Sequence, residues 1–179
     1  MIRPATDRDV DAIAHIHVTA WRESYGGLVP NSVLDELSVS GRAEMWRKIL
    51  SELPRMPVFV AEREDTVVGF ASGGACRGDE LGQEMEVYAI YILSEAKRHG
   101  IGTKLFGAVV NEFIDKGAKS AGLWVLKYNL PARRFYEKLG GQLAGEKVDH
   151  RPGYDLTEVG YIWPDLSGKF AKHRRPPTI

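Results

Sequence analysis

Apolar positions along this chain change period several times, and each change marks an element. After a short extended start at 1–6, Val10, Ile13, Ala14, His17, Ala20 and Trp21 recur at helical spacing, with Asp7 suited to cap the helix. The stretch WRESYGGLVP then breaks the pattern, and Gly26, Gly27 and Pro30 punctuate a loop. A short segment at 32–37 precedes a second helix at 42–53, whose Met45, Trp46, Ile49, Leu50 and Leu53 share a face. Two apolar or alternating runs, 58–62 and 67–72, flank turn-like residues 63–66 and read as an antiparallel hairpin. The glycine-bearing segment 73–83 reads as a loop that returns the chain to an apolar central strand at 87–93.

Beyond that strand a basic, glycine-containing turn, Lys97, Arg98, His99, Gly100, Ile101 and Gly102, leads straight into a helix. Its Leu105, Phe106, Val109, Val110, Phe113 and Ile114 form a 3.6-residue stripe ended by Gly117. A strand at 121–126 follows, then a helix with Pro131 in its first turn that carries Ala132, Phe135, Tyr136 and Leu139 as far as Gly140 and Gly141. Strands near 141–148 and 157–163 complete one α/β domain, expected to span 1–165. Residues 166–179 lack apolar periodicity and are expected to be a basic, solvated, flexible tail.

Composition narrows the chemistry. The 179 residues suit one domain, and 44% hydrophobic with 27% charged residues is ordinary globular usage. Lys and Arg (24) balance Asp and Glu (24), so no global field attracts nucleic acid or an anionic membrane, and any positive site is local. One cysteine, Cys76, excludes an internal disulfide and a cysteine-based zinc site. With no run of about 18 apolar residues and no signal-like start, a cytoplasmic location is expected. His15 and His17 face different ways on a helix while His99, His150 and His173 are scattered, so no metal site is expected.

The strand, turn and helix around Gly100 could aim backbone amides at a phosphate, since glycine admits close approach and the helix dipole favours an anion. They could equally be a tight connection. A Rossmann fingerprint would need a third glycine where Leu105 stands and an acid near Lys127, and a P-loop would need Gly-Lys-Ser/Thr where Gly102-Thr103-Lys104 stands. Neither fits.

The turn resembles the acetyl-CoA motif of the GNAT-type N-acetyltransferases, with Lys97 in place of the usual Gln or Arg and Gly100 and Gly102 intact. A second motif of that family follows in the right order: Asn129, Pro131, Ala132, Arg133, Phe135, Tyr136, Leu139 and Gly140. The resemblance implies a mixed, twisted sheet of six to seven strands with splayed central parallel strands and about four helices. It implies that acetyl-CoA is held by Tyr91, Ile92, Leu93, Lys97, Arg98, His99, Gly100, Ile101, Gly102, Thr103, Asn129, Ala132 and Tyr136. Its pantetheine arm would pair with the strand edge around Tyr91, Ile92 and Leu93. A homodimer through the terminal strands is also implied.

The implied reaction is direct attack of a primary amine, from a small molecule or peptide, on the acetyl thioester. An amine with pKa about 10.4 gives up its proton near neutrality at a cost of roughly 4 to 5 kcal/mol, so a base is needed. Glu86 is the first candidate: alternation places it on the face of Ile90 and Ile92, and family members with a strand glutamate place it six residues before the backbone donor, here Ile92. Six strand residues span about 20 Å, so that role requires a bulge, a water chain or a long substrate. Its other use is an ion pair with a nearby Lys or Arg that orients the strand; Glu84 and Tyr88 are alternative participants.

The Ile92 amide would steady charge on the thioester oxygen and Tyr136 the departing thiolate. Trp21, Tyr25 and Tyr88 are candidate acceptor contacts, with Glu23, Asp79, Glu80 and Glu84 as a hint of a cationic amine. A different class of function, a GNAT-fold module that binds acyl-CoA without turnover, would share the cofactor residues.

Overall fold

The computed structural model describes residues 1–52 and 56–167. Its elements run β1 (Ile2–Pro4), α1 (Val10–Tyr25), α2 (Asn31–Asp35), α3 (Val39–Ser51), β2 (Val58–Arg63), β3 (Thr66–Ala75), β4 (Met85–Ile92), α4 (Ile101–Asp115), β5 (Ala121–Leu126), α5 (Leu130–Lys138), β6 (Gln142–Arg151) and β7 (Tyr154–Trp163). Short 3-10 turns at Asp7–Asp9 and Ser94–Ala96 precede α1 and α4. One seven-stranded mixed sheet takes the order β1-β2-β3-β4-β5-β7-β6, with β4 and β5 parallel and the other neighbours antiparallel.

Each face of the sheet is covered by the stripe its helices predict. On one side Leu105, Phe106, Val109, Val110 and Phe113 of α4 are fully buried against Val87, Leu123, Val125, Val159 and Trp163. On the other, Ile13 and Ala14 of α1 and Trp46 and Leu50 of α3 pack over Val58, Val60 and Phe70. Side chains of this size contribute roughly 1.5 to 3 kcal/mol each when fully buried, so the two helical layers fix the sheet between them.

Several local expectations are corrected. Asp7 lies in the 3-10 turn and does not cap α1; Asp9 accepts from the Thr6 amide at 2.8 Å and is gripped by Arg3 through two 2.8 Å bonds. α1 continues past Trp21 to Tyr25, because the extra turn brings Tyr25 edge-on to Trp21 at 4.8 Å and both rings to Tyr91. α3 begins at Val39, capped by the Ser38 hydroxyl on the Gly41 amide at 3.1 Å; its expected end at Leu53 lies outside the described residues. Gly73 and Gly74 belong to β3, not to a loop. A Cβ at Gly73 would stand 2.6 Å from the Phe113 ring and one at Gly74 2.7 Å from the Tyr88 hydroxyl, so glycine here permits close approach rather than a turn.

The hairpin between β2 and β3 turns on Glu64 and Asp65, with φ of 51° and 59°, the double left-handed geometry that matches strand twist. Leu166, expected in the tail, is buried in the α4 core and donates its amide to the Lys119 carbonyl at 2.9 Å. The rest of the expected tail, 168–179, lies outside the described residues. No helix among the described residues is long and apolar enough to cross a membrane.

His17 sits inside the α1–α3 layer. The Trp46 indole donates to its Nδ1 at 3.0 Å, so the ring is neutral with its proton on Nε2, and it stacks on Tyr91 at 5.2 Å. Burial, then the nearby Arg42 charge, lowers its pKa to about 3. An unfolded imidazole takes up a proton below about pH 6.5, so stability that is complete above that pH falls as the pH drops toward the folded value. Melting curves between about pH 7 and pH 5, above most carboxylate titrations, should show Tm falling with acid, and His17→Gln should flatten the slope. A wild-type Tm that does not move over this window would refute the buried neutral histidine.

Candidate active site

The two parallel strands at the centre of the sheet pair over two positions, Met85 with Ala121 and Glu86 with Gly122, and then part. Beyond Glu86 the β5-facing edge of β4 has no strand beside it, whereas β5 stays paired with β7 along its whole length. The gap opens a cavity of about 840 Å³, within the size range of small-molecule sites. Backbone N–H and C=O groups along an open strand edge need partners, so an extended ligand with amides of its own fits this wall.

At one end the cavity meets the start of α4. Arg98 (φ 66°) and Gly100 (φ 73°) both take left-handed conformations, and Gly100 caps the helix with open space where a side chain would be. A left-handed pair before a helix N-terminus turns successive amides inward, the geometry that binds phosphate. Gly102 has a different reason: a Cβ there would lie 3.1 Å from the Phe135 ring and 3.3 Å from Ile92, so the glycine lets α4, α5 and β4 meet. Asn129 starts α5, accepting from the Ala132 amide at 3.3 Å, with Pro131 in the first turn.

Of the residues expected at a cofactor, Tyr91, Ile92, Lys97, Arg98, Gly100, Ile101, Gly102, Thr103, Asn129, Ala132 and Tyr136 line this cavity. Leu93 and His99 do not: Leu93 is buried in the α1–α3 core, and His99 Nδ1 turns back to the Lys97 carbonyl at 2.8 Å. Lys97 is also drawn toward Glu23, 3.7 Å away, which itself accepts from the Ser94 hydroxyl at 2.6 Å. Arg134 and Lys138 of α5 line the wall and were not anticipated, although their i, i+4 spacing places them on one helix face.

Tyr136 stands where α5 meets the cavity, between Phe135 and Tyr161, and no described residue hydrogen-bonds its hydroxyl. Burial, and then the proximity of Tyr91, raises its pKa above the ordinary phenol value, so it remains a proton-bearing donor. Trp21, Tyr25 and Tyr88 line the same cavity. The Trp21 indole donates to the Tyr91 hydroxyl at 2.8 Å, and Tyr25 shares a 3.3 Å contact with the same oxygen. Burial raises the Tyr25 and Tyr91 phenols as well. The described residues form no cluster of His, Cys, Asp and Glu able to hold a metal ion.

Glu86 is placed differently from the sequence expectation. The β3–β4 register passes from Ser72 opposite Ala89 to Gly73 opposite Val87, which leaves Tyr88 bulged. This extra residue reverses alternation: Val87, Ile90 and Ile92 pack toward α4, so Glu86 points to the other face. Its carboxylate is 2% exposed, is not on the cavity wall, and is saturated by Arg77. The Arg77 amide donates to Oε2 at 3.0 Å, Nε donates to Oε1 at 3.1 Å, and Nη2 donates to Oε1 as well. Arg77 then lies 4.5 Å above the Tyr88 ring and lines the cavity. Trp124, Asp149, Arg151 and Glu158 join it there, none foreseen. They come from three strands, and the signal that could have found them is alternation on β5 and β7 opposite the buried Val125 and Val159.

With this geometry the comparisons agree. The model of the acetyltransferase (GNAT) family matches residues 11–141. An uncharacterized N-acetyltransferase of Bacillus subtilis (strain 168), YuaI, is 34% identical over 167 residues, covering 93% of this chain and 94% of its own. The fold is similar to that of a ribosomal-protein-alanine N-acetyltransferase from Brucella melitensis, with a TM-score of 0.72, 23% identity and coverage of 91% and 98%. It is also similar to yncA of Salmonella typhimurium, solved with its cofactor acetyl-CoA, with a TM-score of 0.70, 22% identity and coverage of 100% and 98%.

Removing Arg77 strands a buried carboxylate. Arg77→Ala should cost about 2 to 3 kcal/mol in urea unfolding, less than a fully buried pair because the guanidinium side is open to solvent. Adding Glu86→Gln to that variant should restore part of the loss. Strictly additive effects of the two changes would refute the pairing.

Proposed function

We propose, from the premise that this chain belongs to the GNAT family of acetyltransferases and is an acetyl-CoA-dependent N-acetyltransferase, that it passes the acetyl group directly to a primary amine in a ternary complex. The observation that carries this reading is the parting of β4 and β5, which joins an open strand edge, a left-handed anion turn and an aromatic-walled chamber in one cavity. The 97–103 turn with α4 behind it suits the pyrophosphate, and Arg134 and Lys138 add positive charge to the cavity wall. The edge of Tyr91 and Ile92 suits the pantetheine amides. Acetyl-CoA supplies the activated thioester; the chain supplies orientation, a fixed amide donor at Ile92, and a phenol at Tyr136.

The phenol's raised pKa bears on its role. A phenol above 10 that gives its proton to a thiolate near 8.5 is uphill by at least about 2 kcal/mol, so Tyr136 acts by donating a hydrogen bond to the departing sulfur, which ends protonated from solvent or from the amine. A homodimer through the terminal strands is part of the same reading; β6, at the sheet edge with Leu143 and Val148 exposed, is the strand available. Light scattering would report it.

The test is thiol release from acetyl-CoA against a panel of amino acids, polyamines, aminoglycosides and peptides. Amine-dependent release supports transfer; tight binding with no amine-stimulated release would favour the non-catalytic acyl-CoA module. Two variants probe the site. Gly100→Ala forces a side chain into a left-handed conformation at about 1 to 2 kcal/mol, so acetyl-CoA should bind roughly 5- to 30-fold more weakly by calorimetry. Tyr136→Phe should lower kcat by about 10- to 100-fold with acetyl-CoA affinity little changed. Unimpaired turnover in that variant would remove the phenol from the reaction.

A further inference from the structure

An ammonium acceptor needs a place for its proton, and Glu86 is committed to Arg77. Among the described residues, the carboxylates on the cavity wall are Asp149 and Glu158. Asp149 is already held: Arg151 donates to Oδ2 from Nε at 2.8 Å and from Nη2 at 2.6 Å. The Glu158 carboxylate accepts no hydrogen bond from any described residue. Its nearest cation, Lys147, stands 3.8 Å from Oε2, beyond hydrogen-bond reach, and lies 4.2 Å over the Trp124 ring. The Glu158 side chain is 22% exposed. This carboxylate is partly buried, faces the cavity and, apart from the long ion pair with Lys147, has no donor among the described residues, so its hydrogen-bonding positions are open to a ligand's donor.

Its place in the sheet fits. Glu158 pairs with Leu126 at the far end of β5, well beyond the two positions where β4 and β5 still touch. Alternation along β7 sets it opposite the buried Val159 and Tyr161, on the face of Trp124. The charged and titratable groups that act on it and that it acts on come from every side: Lys147 and Asp149 and Arg151 of β6, Arg77 after β3, Tyr25 of α1 and Tyr91 of β4. Burial leads these influences and raises the Glu158 pKa, opposed by Lys147. A base moved up in this way comes closer to the amine it serves.

We propose that Glu158 is the catalytic base, and that the acceptor is a primary amine that enters protonated and docks its ammonium against this carboxylate. The assignment rests on the acetyl-transfer reading above. One N–H bond of the ammonium breaks and its proton passes to Glu158. The freed lone pair then forms the C–N bond at the thioester carbon, the C–S bond breaks, and the sulfur leaves as thiolate. The second amine proton, lost as the amide forms, is equivalent to the one the thiolate takes up, so one proton is released per turnover.

The test compares wild type, Glu158→Gln and Glu158→Asp across pH, with whichever amine of the panel gives the fastest thiol release. Glu158→Gln should lose about 10²-fold or more in kcat/KM near neutral pH, and the deficit should shrink as the pH nears the amine's own pKa, because the amine then arrives neutral. Acetyl-CoA affinity by calorimetry should hold, which separates loss of the base from loss of the fold. Glu158→Asp should recover part of the rate with an acidic limb still present, and Lys147→Met should move that limb to higher pH. A Glu158→Gln deficit that is absent, or constant across pH, overturns the assignment while leaving acetyl transfer in place. A wild type that binds acetyl-CoA but turns over no amine overturns both.

Discussion

The parting of β4 and β5 is the constraint on which the rest of the molecule depends. Two parallel strands that pair at their first residues and then diverge leave a row of amides and carbonyls without partners in the middle of a sheet. Such groups are costly when dry, so the fold must either close the gap or deliver something that satisfies it. It keeps the gap open. β5 is held along its length by β7, β4 is held by β3, and Phe135 and Ile92 both pack over Gly102 at the start of α4. The opening is therefore braced on both sides by hydrogen-bonded strands and by packed rings.

The same divergence explains the bulge at Tyr88. A strand that must leave one neighbour while following another gains twist and bend from one extra residue. The cost is that its alternation reverses, which sends Glu86 to the face opposite Ile90 and Ile92. Buried there, a carboxylate requires a cation, and Arg77 from the end of β3 supplies it. Glu86 thereby acts as a positioning residue: it fixes the guanidinium against Tyr88 and makes a rigid corner of the chamber. That corner is anchored by the sheet, because Glu86 is a strand residue paired on both sides.

How much of this was legible in sequence depends on how local each feature is. The turn at 97–102 and the segment from Asn129 to Gly140 are contiguous, because a phosphate cradle is built from consecutive amides and a helix cap from neighbours, and they could be read directly. The stripes of α4 and α3 were legible for the same reason. Gly73 and Gly74 were misread as loop because their need for glycine comes from Phe113 and Tyr88, which are remote in sequence. The face of Glu86 was misread because a bulge changes parity without leaving any mark in the residues themselves, whereas its alternative use, an ion pair with a nearby Lys or Arg, is the one found with Arg77. Glu158, Arg151 and Trp124 carry no motif, and they meet only when β5, β6 and β7 are set side by side.

This division follows from what each half of the cavity must recognise. Acetyl-CoA presents the same phosphates and amides to every protein that uses it, and backbone geometry meets those groups, so a short, contiguous and glycine-dependent pattern is enough. An acceptor amine meets side chains, and those on the rest of the wall arrive from α1, the segment after β3, β4, β5, β6 and β7 with no fixed spacing among them. Side chains on separate strands can change one at a time without disturbing the cradle. The cofactor half is thus held to a pattern by its chemistry, while the acceptor half, whose wall carries Tyr25, Arg77, Trp124 and Glu158, is held to none.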